Sequence, residues 1–220
     1  MRRLDAIGLS ALSGYGFLPA DLKVVGPEVN AATVREHLQR GLDRAHRLHV
    51  KFVVFGNLNN RSRQAPEGFS IATARQQLLQ FIREAGKAAK AQDITVLIEP
   101  LPTNQTNLIN TVADALSFVA EVARPNVKML VDYTYMAQGK EDMSILRVAA
   151  AQIRQVEISN PNGRVYPRTA QEADYLAFLR PLGEGGFRGG ISIHGRPEDF
   201  FVDAPRAIGL LRTLVLQAAK

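Results

Sequence analysis

Two hydrophobic periods alternate along the chain. Short, nearly unbroken apolar runs of strand length lie at Ile7–Leu12, Lys51–Phe55, Thr95–Ile98, Val127–Val131, Val156–Ser159 and Ile191–Ile193, each rich in Val, Ile or Leu. Helical spacing follows each of them. Between Asn30 and His49, Val34, Leu38, Leu42 and Ala45 recur on one face, and from Ser70, an N-cap type, to Ala91 the stripe is Leu78, Leu79, Ile82 and Ala85. Thr111 with Asp114, and Thr169 with Glu172, fit the S/T-x-x-D/E signature of a helix start. A last helix is predicted after Asp203, with Ile208, Leu211 and Val215 on one face, while GEGGF at Gly183–Phe187 reads as a helix stop and turn.

Strand followed by helix, without hairpin signals, predicts parallel strands joined by right-handed crossovers. Unbroken apolar strands predict a sheet buried on both faces. A barrel and an open doubly wound sheet both satisfy this pattern. No G-x-G-x-x-G or Walker loop follows any strand, which disfavours the nucleotide-binding versions of the open sheet.

The strand ends favour the barrel. Glu99 closes TVLIE, Asp132 closes MLVD, Glu157 lies in QVEIS and His194 closes ISIH, so four potential ligands stand at equivalent places on four successive strands. In a β/α barrel the carboxyl ends of the strands meet at one rim, where chemistry is assembled. Any one of these residues has a plainer account, a strand-end acid paired with Arg or Lys, or a hydrogen-bonded histidine. Four in register favour a metal or active-site cluster. Three carboxylates and an imidazole suit Mn²⁺ or Mg²⁺, with Co²⁺, Fe²⁺ or Zn²⁺ as further options.

Composition narrows the classes. With 220 residues, 46% hydrophobic and 22% charged, the chain is expected to form one globular domain over 1–220. No apolar run approaches the roughly 18 residues that span a bilayer, and the first residues lack a leader pattern, so a soluble chain without a membrane role is expected. Zero Cys excludes disulfides, thiolate metal sites and Cys nucleophiles, and fits a reducing, cytoplasmic setting. The formal charge of +6 is spread along the chain, densest in RAHR and NRSR and without interleaved aromatics. That distribution disfavours a nucleic-acid footprint and would welcome an anionic small molecule such as a sugar phosphate. His37, His46 and His49 share a predicted helix with Arg35, Arg40, Arg44 and Arg47, an unfriendly place for a cation, and read as solvated or helix-end residues.

The stretches FLPADLKVVGPEVN, FGNLNNRSRQAPEGF, LIEPLPTNQTN, LVDYTYMAQGKED and VEISNPNGRVYP, in that order, resemble the sugar phosphate isomerase/epimerase group of the xylose isomerase-like TIM barrels, a superfamily that includes the family 2 AP endonucleases. The resemblance implies a divalent metal held at four strand ends by Glu, Asp, His and Glu. It also implies isomerisation or epimerisation of a sugar, keto sugar or sugar phosphate by proton transfer through an enediolate. Carried over by position, Glu99 and Asp132 match the first two ligands. Glu157 stands at the family's His position and His194 at its last Glu, so the inventory is kept and its order exchanged. The implied metal set is Glu99, Asp132, Glu157 and His194, and the implied proton carriers are Glu99 and His194, with Glu157 as alternative. Arg164 matches a substrate-contacting position, and Arg63, Asn160 and Tyr135 complete the implied substrate-binding set.

Three further departures stand out against the family. Tyr135 and Gln155 replace His, and Gln105 replaces Glu. They point to altered specificity or to a site drifting from catalysis, so a non-catalytic carbohydrate-binding or subunit-type member is the alternative reading. A family 2 nuclease site, built from many His and Glu, is a distant third for a chain with four His. A complete barrel of about 250 residues has eight strand-helix units, whereas six are legible here, with the first two missing. The expected fold is therefore an incomplete TIM-type (β/α) barrel, truncated at its N-terminal side, whose open sheet edge would be covered in a homodimer or hetero-complex.

Overall fold

A computed structural model describes residues 6–16, 18–19, 21–56 and 62–219. Residues 57–61 of FGNLNNRSR, which include part of the NRSR patch, and residues 17 and 20 of FLPADL lie outside them. The chain divides into two compact units, one comprising residues up to Asn110 with Asp114–Met129, the other Thr111–Ala113 with Leu130–Lys220.

The first unit is a run of strand-helix repeats. Strand β1 (Ser13–Tyr15) leads to helix α1 (Ala31–Arg47), β2 (Phe52–Phe55) to α2 (Ile71–Lys90), and β3 (Thr95–Ile98) to α3 (Val112–Val122). The strands pair in parallel in chain order, β1 with β2 (Gly14 opposite Val53), β2 with β3 (Val53 opposite Val96), and β3 with the start of β4 (Val127–Asp132), where Val96 faces Val127. Helix α1 starts where its cap residue dictates: Asn30 Oδ1 accepts from the N–H groups of Ala32 and Thr33, both at 3.1 Å. The i, i+4 stripe Val34, Leu38, Leu42 and Ala45 is its buried face. Ser70 caps α2 in the same way, accepting from Thr73 N–H at 3.3 Å. Val53, Val54, Phe55, Val96, Leu97 and Ile98 are all buried, so successive side chains on both faces of β2 and β3 leave water, as parallel strands under crossover helices require.

The first predicted strand is displaced. Ile7–Leu12 has no strand, and Ile7, Leu9 and Leu12 are exposed; the paired residues are Ser13–Tyr15. What decides the register is the partner strand, since Lys51 and Phe52 donate their N–H groups to Leu12 O at 3.0 and 3.1 Å.

In the second unit the remainder of β4 is followed by α4 (Tyr133–Gly139), α5 (Ile145–Ala149), a single 3₁₀ turn (Ala150–Gln152), β5 (Ile153–Ile158), α6 (Tyr175–Glu184), β6 (Gly190–Ile193) and α7 (Phe200–Ala218). The order continues β4-β5-β6, and β5 pairs with β6 in parallel, Glu157 opposite Ser192. Tyr133 anchors the aromatic core, its ring centroid 5.3 Å from that of Tyr175 and 5.2 Å from that of Phe178. Burial, with the Asp174 charge behind it, pushes the Tyr133 hydroxyl up to about 12. The predicted helix start at Thr169 is also displaced: Asp174 is the true cap, accepting from Ala177 N–H at 3.0 Å, while Glu172 Oε1 accepts from Arg168 N–H and Tyr175 O–H, both at 2.7 Å. Helix α6 stops at Gly185 as GEGGF predicts. Among the described residues, no helix is long and apolar enough to cross a membrane.

Candidate active site

In the second unit, three consecutive strands deliver one polar side chain each to a common point. Asp132 is the last residue of β4, Glu157 lies near the end of β5 and His194 immediately follows β6. Ladder register explains why Glu157 and His194 meet. Glu157 faces Ser192, and His194 lies two residues beyond it, so by the two-residue alternation of a strand all three point to the same side. The His194 N–H, bonded to Ile158 O at 3.1 Å, extends the ladder one step and fixes the imidazole's origin.

Asp132, Glu157 and His194 each offer a ligand atom, and these atoms all lie within 4.8 Å of one another. Both acids are buried, at 2% and 3% exposure, and the imidazole is half-buried. His194 Nδ1 is hydrogen-bonded to Glu157 Oε2 and lies 3.8 Å from Asp132 Oδ2. The bond to Glu157 raises the His194 pKa above its ordinary value, against the opposing effect of burial. Burial likewise raises the Asp132 carboxyl, with the Glu157 charge adding to it and Arg164 opposing. Asp132 also starts a helix: its Oδ1 accepts from Tyr135 N–H at 3.1 Å as the cap of α4, which leaves Oδ2 for the cluster.

Arg164 completes the arrangement from the loop after β5. Its Nη2 donates to Asp132 Oδ2 at 2.6 Å and lies 3.1 Å from His194 Nδ1, and the guanidinium carbon stands 4.5 Å from the centroid of the Tyr135 ring. The loop that presents it is tightly built. Arg164 has φ +51°, its carbonyl accepts from Arg196 N–H at 2.9 Å, and Asn160 N–H bonds to Val165 O at 2.9 Å. A Cβ at Gly195 would come within 2.9 Å of Val165 O and 3.0 Å of Arg164 O, so a glycine directly after His194 is what lets the two loops touch. Asn160 turns its side chain to the loop itself, Oδ1 accepting from Asn162 N–H at 2.9 Å.

Gln155 lies two residues before Glu157 on the same face of β5, 3% exposed. Its Nε2 donates to Ser192 Oγ at 3.0 Å, and its Oε1 is buried without a hydrogen-bond partner. Ser192 went unnoticed in the sequence because a serine inside an apolar strand carries no chemical signature of its own. Thr134 and Ser159, hydrogen-bonded through their hydroxyls at 2.6 Å, were missed for the same reason. Gly195 had a signal that reading overlooked, a glycine abutting a strand-end ligand.

Glu99 and Arg63 belong to the first unit. Glu99 follows β3, is fully buried, and receives an Arg63 Nη2–H bond at its main-chain oxygen at 2.8 Å. Arg63 is itself fully buried, packed over the Phe55 ring at 5.4 Å, so its guanidinium fastens the ends of β2 and β3. A Cβ at Gly56 would overlap the Glu99 carboxylate, so the residue after β2 makes the space that carboxylate fills. Glu99 is not one of the three residues clustered in the second unit. On α1, His46 is exposed and His37 half-buried, both outside that cluster.

Two carboxylates and an imidazole converging on one point are a donor set suited to a divalent ion such as Mn²⁺, Mg²⁺ or Zn²⁺. The structure is similar to that of D-allulose 3-epimerase from Methylomonas sp., at 20% identity, covering 96% of this chain and 79% of that one with a TM-score of 0.82. It is similar to L-ribulose 3-epimerase at 20% identity, 99% and 78% coverage and a TM-score of 0.83. A family 2 AP endonuclease from Brucella melitensis aligns at 19% identity, over 90% of this chain and 77% of that one, with a TM-score of 0.74. Among curated proteins, none matches the sequence. Residues 2–209 match the family described as xylose isomerase-like TIM barrel, and with nearly the whole chain covered the protein belongs to that family.

Proposed function

We propose that this chain is a divalent-metal-dependent epimerase or isomerase of keto sugars or their phosphates, moving a proton at the carbon next to the carbonyl. The observation that carries the reading is the convergence of Asp132, Glu157 and His194 from three successive strand ends. It is supported by family membership and by structural likeness to two ketose 3-epimerases, whose named reaction inverts a carbon adjacent to a ketose carbonyl. The net charge of +6 favours a phosphorylated or otherwise anionic sugar.

In this proposal Asp132, Glu157 and His194 hold the ion; for Glu99, in the first unit, the family resemblance of its sequence position implies a ligand and proton-carrier role. When bound, the ion polarises the carbonyl and hydroxyl oxygens of the sugar and stabilises the enediolate left by proton removal. His194, or Glu157 beside it, would exchange the proton on its side of the sugar. Arg164 and Tyr135 bind sugar oxygens, and Asn160 shapes the loop that carries Arg164. Arg63 serves the same binding indirectly, by fastening the strand ends beside Glu99. The chain acts in the cytoplasm, consistent with its lack of Cys, and as an oligomer.

The test combines metal content and proton exchange. Untagged protein supplemented with Mn²⁺ should hold about one ion per chain by mass spectrometry, and Asp132→Asn and His194→Ala should lose it. Incubated with ketoses in D₂O, the loaded enzyme should place deuterium on the carbon beside the carbonyl, seen by NMR. No retained ion sinks the metal assignment, and no deuterium across a panel of ketoses and ketose phosphates sinks the reaction. A second reading, a sugar-binding member of the fold without catalysis, is favoured by the Arg164 guanidinium already lying on Asp132. It predicts ketose binding with no exchange.

A further inference from the structure

One of the atoms offered to a cation in the second unit, Asp132 Oδ2, is already engaged by one. Arg164 Nη2 is 2.6 Å from Asp132 Oδ2 and 3.1 Å from His194 Nδ1. Those two atoms and Glu157 Oε2 are the ones that converge: Oδ2 and Nδ1 are 3.8 Å apart, and Nδ1 is bonded to Oε2. A metal ion needs Asp132 Oδ2 at roughly 2.0–2.3 Å. A guanidinium nitrogen at 2.6 Å from that oxygen and a metal on it would place two positive charges only a few ångströms apart.

The geometry points to Arg164 as an internal cation that competes with the divalent metal for Asp132 Oδ2, so that metal binding displaces its guanidinium and frees it for substrate. This rests on the metal reading proposed above. The backbone is fixed and the head is movable, which is what such a device requires. Arg164 Cα is pinned by the left-handed φ of +51° and by the Arg196 N–H bond to its carbonyl, whereas its side chain retains 26% exposure. The guanidinium meets the Tyr135 ring at 4.5 Å, an aromatic surface that attracts a cation without claiming its N–H groups. Its Nη1 is buried without a hydrogen-bond partner, so the pose on Asp132 leaves one donor unused that a ligand oxygen can satisfy. Because guanidinium does not deprotonate in proteins, raising the pH does not remove this competitor. The order of binding follows: metal first, then a sugar oxygen or phosphate on the released Arg164.

The experiment is calorimetric titration of the folded, metal-stripped full chain with Mn²⁺. Arg164→Gln should bind Mn²⁺ at least about tenfold more tightly than wild type, the least expected from deleting a unit positive charge a few ångströms away at an effective dielectric near 20, discounted for partial exposure. Arg164→Lys, which keeps a charge but loses the planar fork, should fall between them. Arg164→Asn, a residue that tolerates the left-handed backbone, should reproduce the Gln result and guards against a folding artefact. Equal or weaker Mn²⁺ binding by Arg164→Gln and Arg164→Asn, with wild type holding one ion, overturns the competition and leaves the metal reading standing. No Mn²⁺ bound by any of the four folded proteins overturns the metal reading and this inference with it.

Discussion

Gly56 follows the last residue of β2, and a Cβ built there would overlap the carboxylate of the fully buried Glu99. A single methyl is therefore incompatible with the native pose of that acid, and Gly56→Ala should destabilise the chain by about 1–3 kcal/mol through overpacking. For a chain of this length each kcal/mol lowers the midpoint by about 2–4 °C, which scanning calorimetry resolves. A double-mutant cycle identifies the cause. Glu99→Ala removes most of the atoms the new methyl would meet, so Gly56→Ala should cost clearly less in that background; additive costs would show that the overlap is not the source. At this scale the sequence was legible wherever a short apolar strand ends on a polar residue, as at Glu99, Asp132 and His194, because nothing in strand packing calls for a carboxylate or imidazole there. It was silent on Gly56 and on the place of Arg164. Gly56 matters only through a side chain on the neighbouring strand, and Arg164 reaches Asp132 from a loop whose left-handed turn has no hydrophobic period to announce it.

Elements were legible in proportion to how much of their stabilisation is local. Helix α1 carries its own i, i+4 stripe, and α2 its own cap at Ser70, and both were readable in the chain. Strand β1 has neither; its residues are SGY, and pairing with β2 selects them over the more apolar Ile7–Leu12. At the start of α7 the local signal is electrostatic. Asp199 caps the helix, and Asp203 Oδ2 reaches back to the N–H groups of Glu198 at 2.8 Å and Asp199 at 3.2 Å, with Arg168 Nε 3.6 Å from its other oxygen. The backbone bond from Glu198 is the main reason the Asp203 carboxyl is held below its ordinary value, with Arg168 assisting. A carboxyl with a depressed folded-state pKa stabilises the fold above its unfolded value, near 3.9, and loses that contribution as pH falls through the folded value. Asp203→Asn should therefore melt below wild type by a constant margin from about pH 5 to 7, and the margin should shrink below about pH 4. A margin that stays constant down to pH 3 would show that the charge of Asp203 contributes nothing.

At the scale of the whole molecule, what asks for explanation is an apolar face at the end of the strand order. In the second unit β6 is the terminal strand, and its two faces have opposite chemistry: Ser192 and His194 point to the site side, while Ile191 and Ile193, with Ile208, Leu211, Val215, Leu216 and the single charged residue Arg212 of α7, line a groove of about 650 Å³. Leu216 is 69% exposed and Phe201, on the first turn of the same helix, 85%. Exposed apolar surface of this kind beside a terminal strand is a liability that proteins cover. The proposed covering is a second copy of this chain, since a self-complementary apolar patch closes with two-fold symmetry and needs no other component. Multi-angle light scattering should find a dimer at micromolar concentration, and Ile208→Asp with Leu216→Asp should convert it to a monomer whose circular dichroism is unchanged. Both substitutions replace exposed side chains, so they do not excavate the core, and a folded monomer is the expected product. A wild type that is monomeric throughout the micromolar range removes the dimer. A wild-type dimer that survives both substitutions places the interface elsewhere.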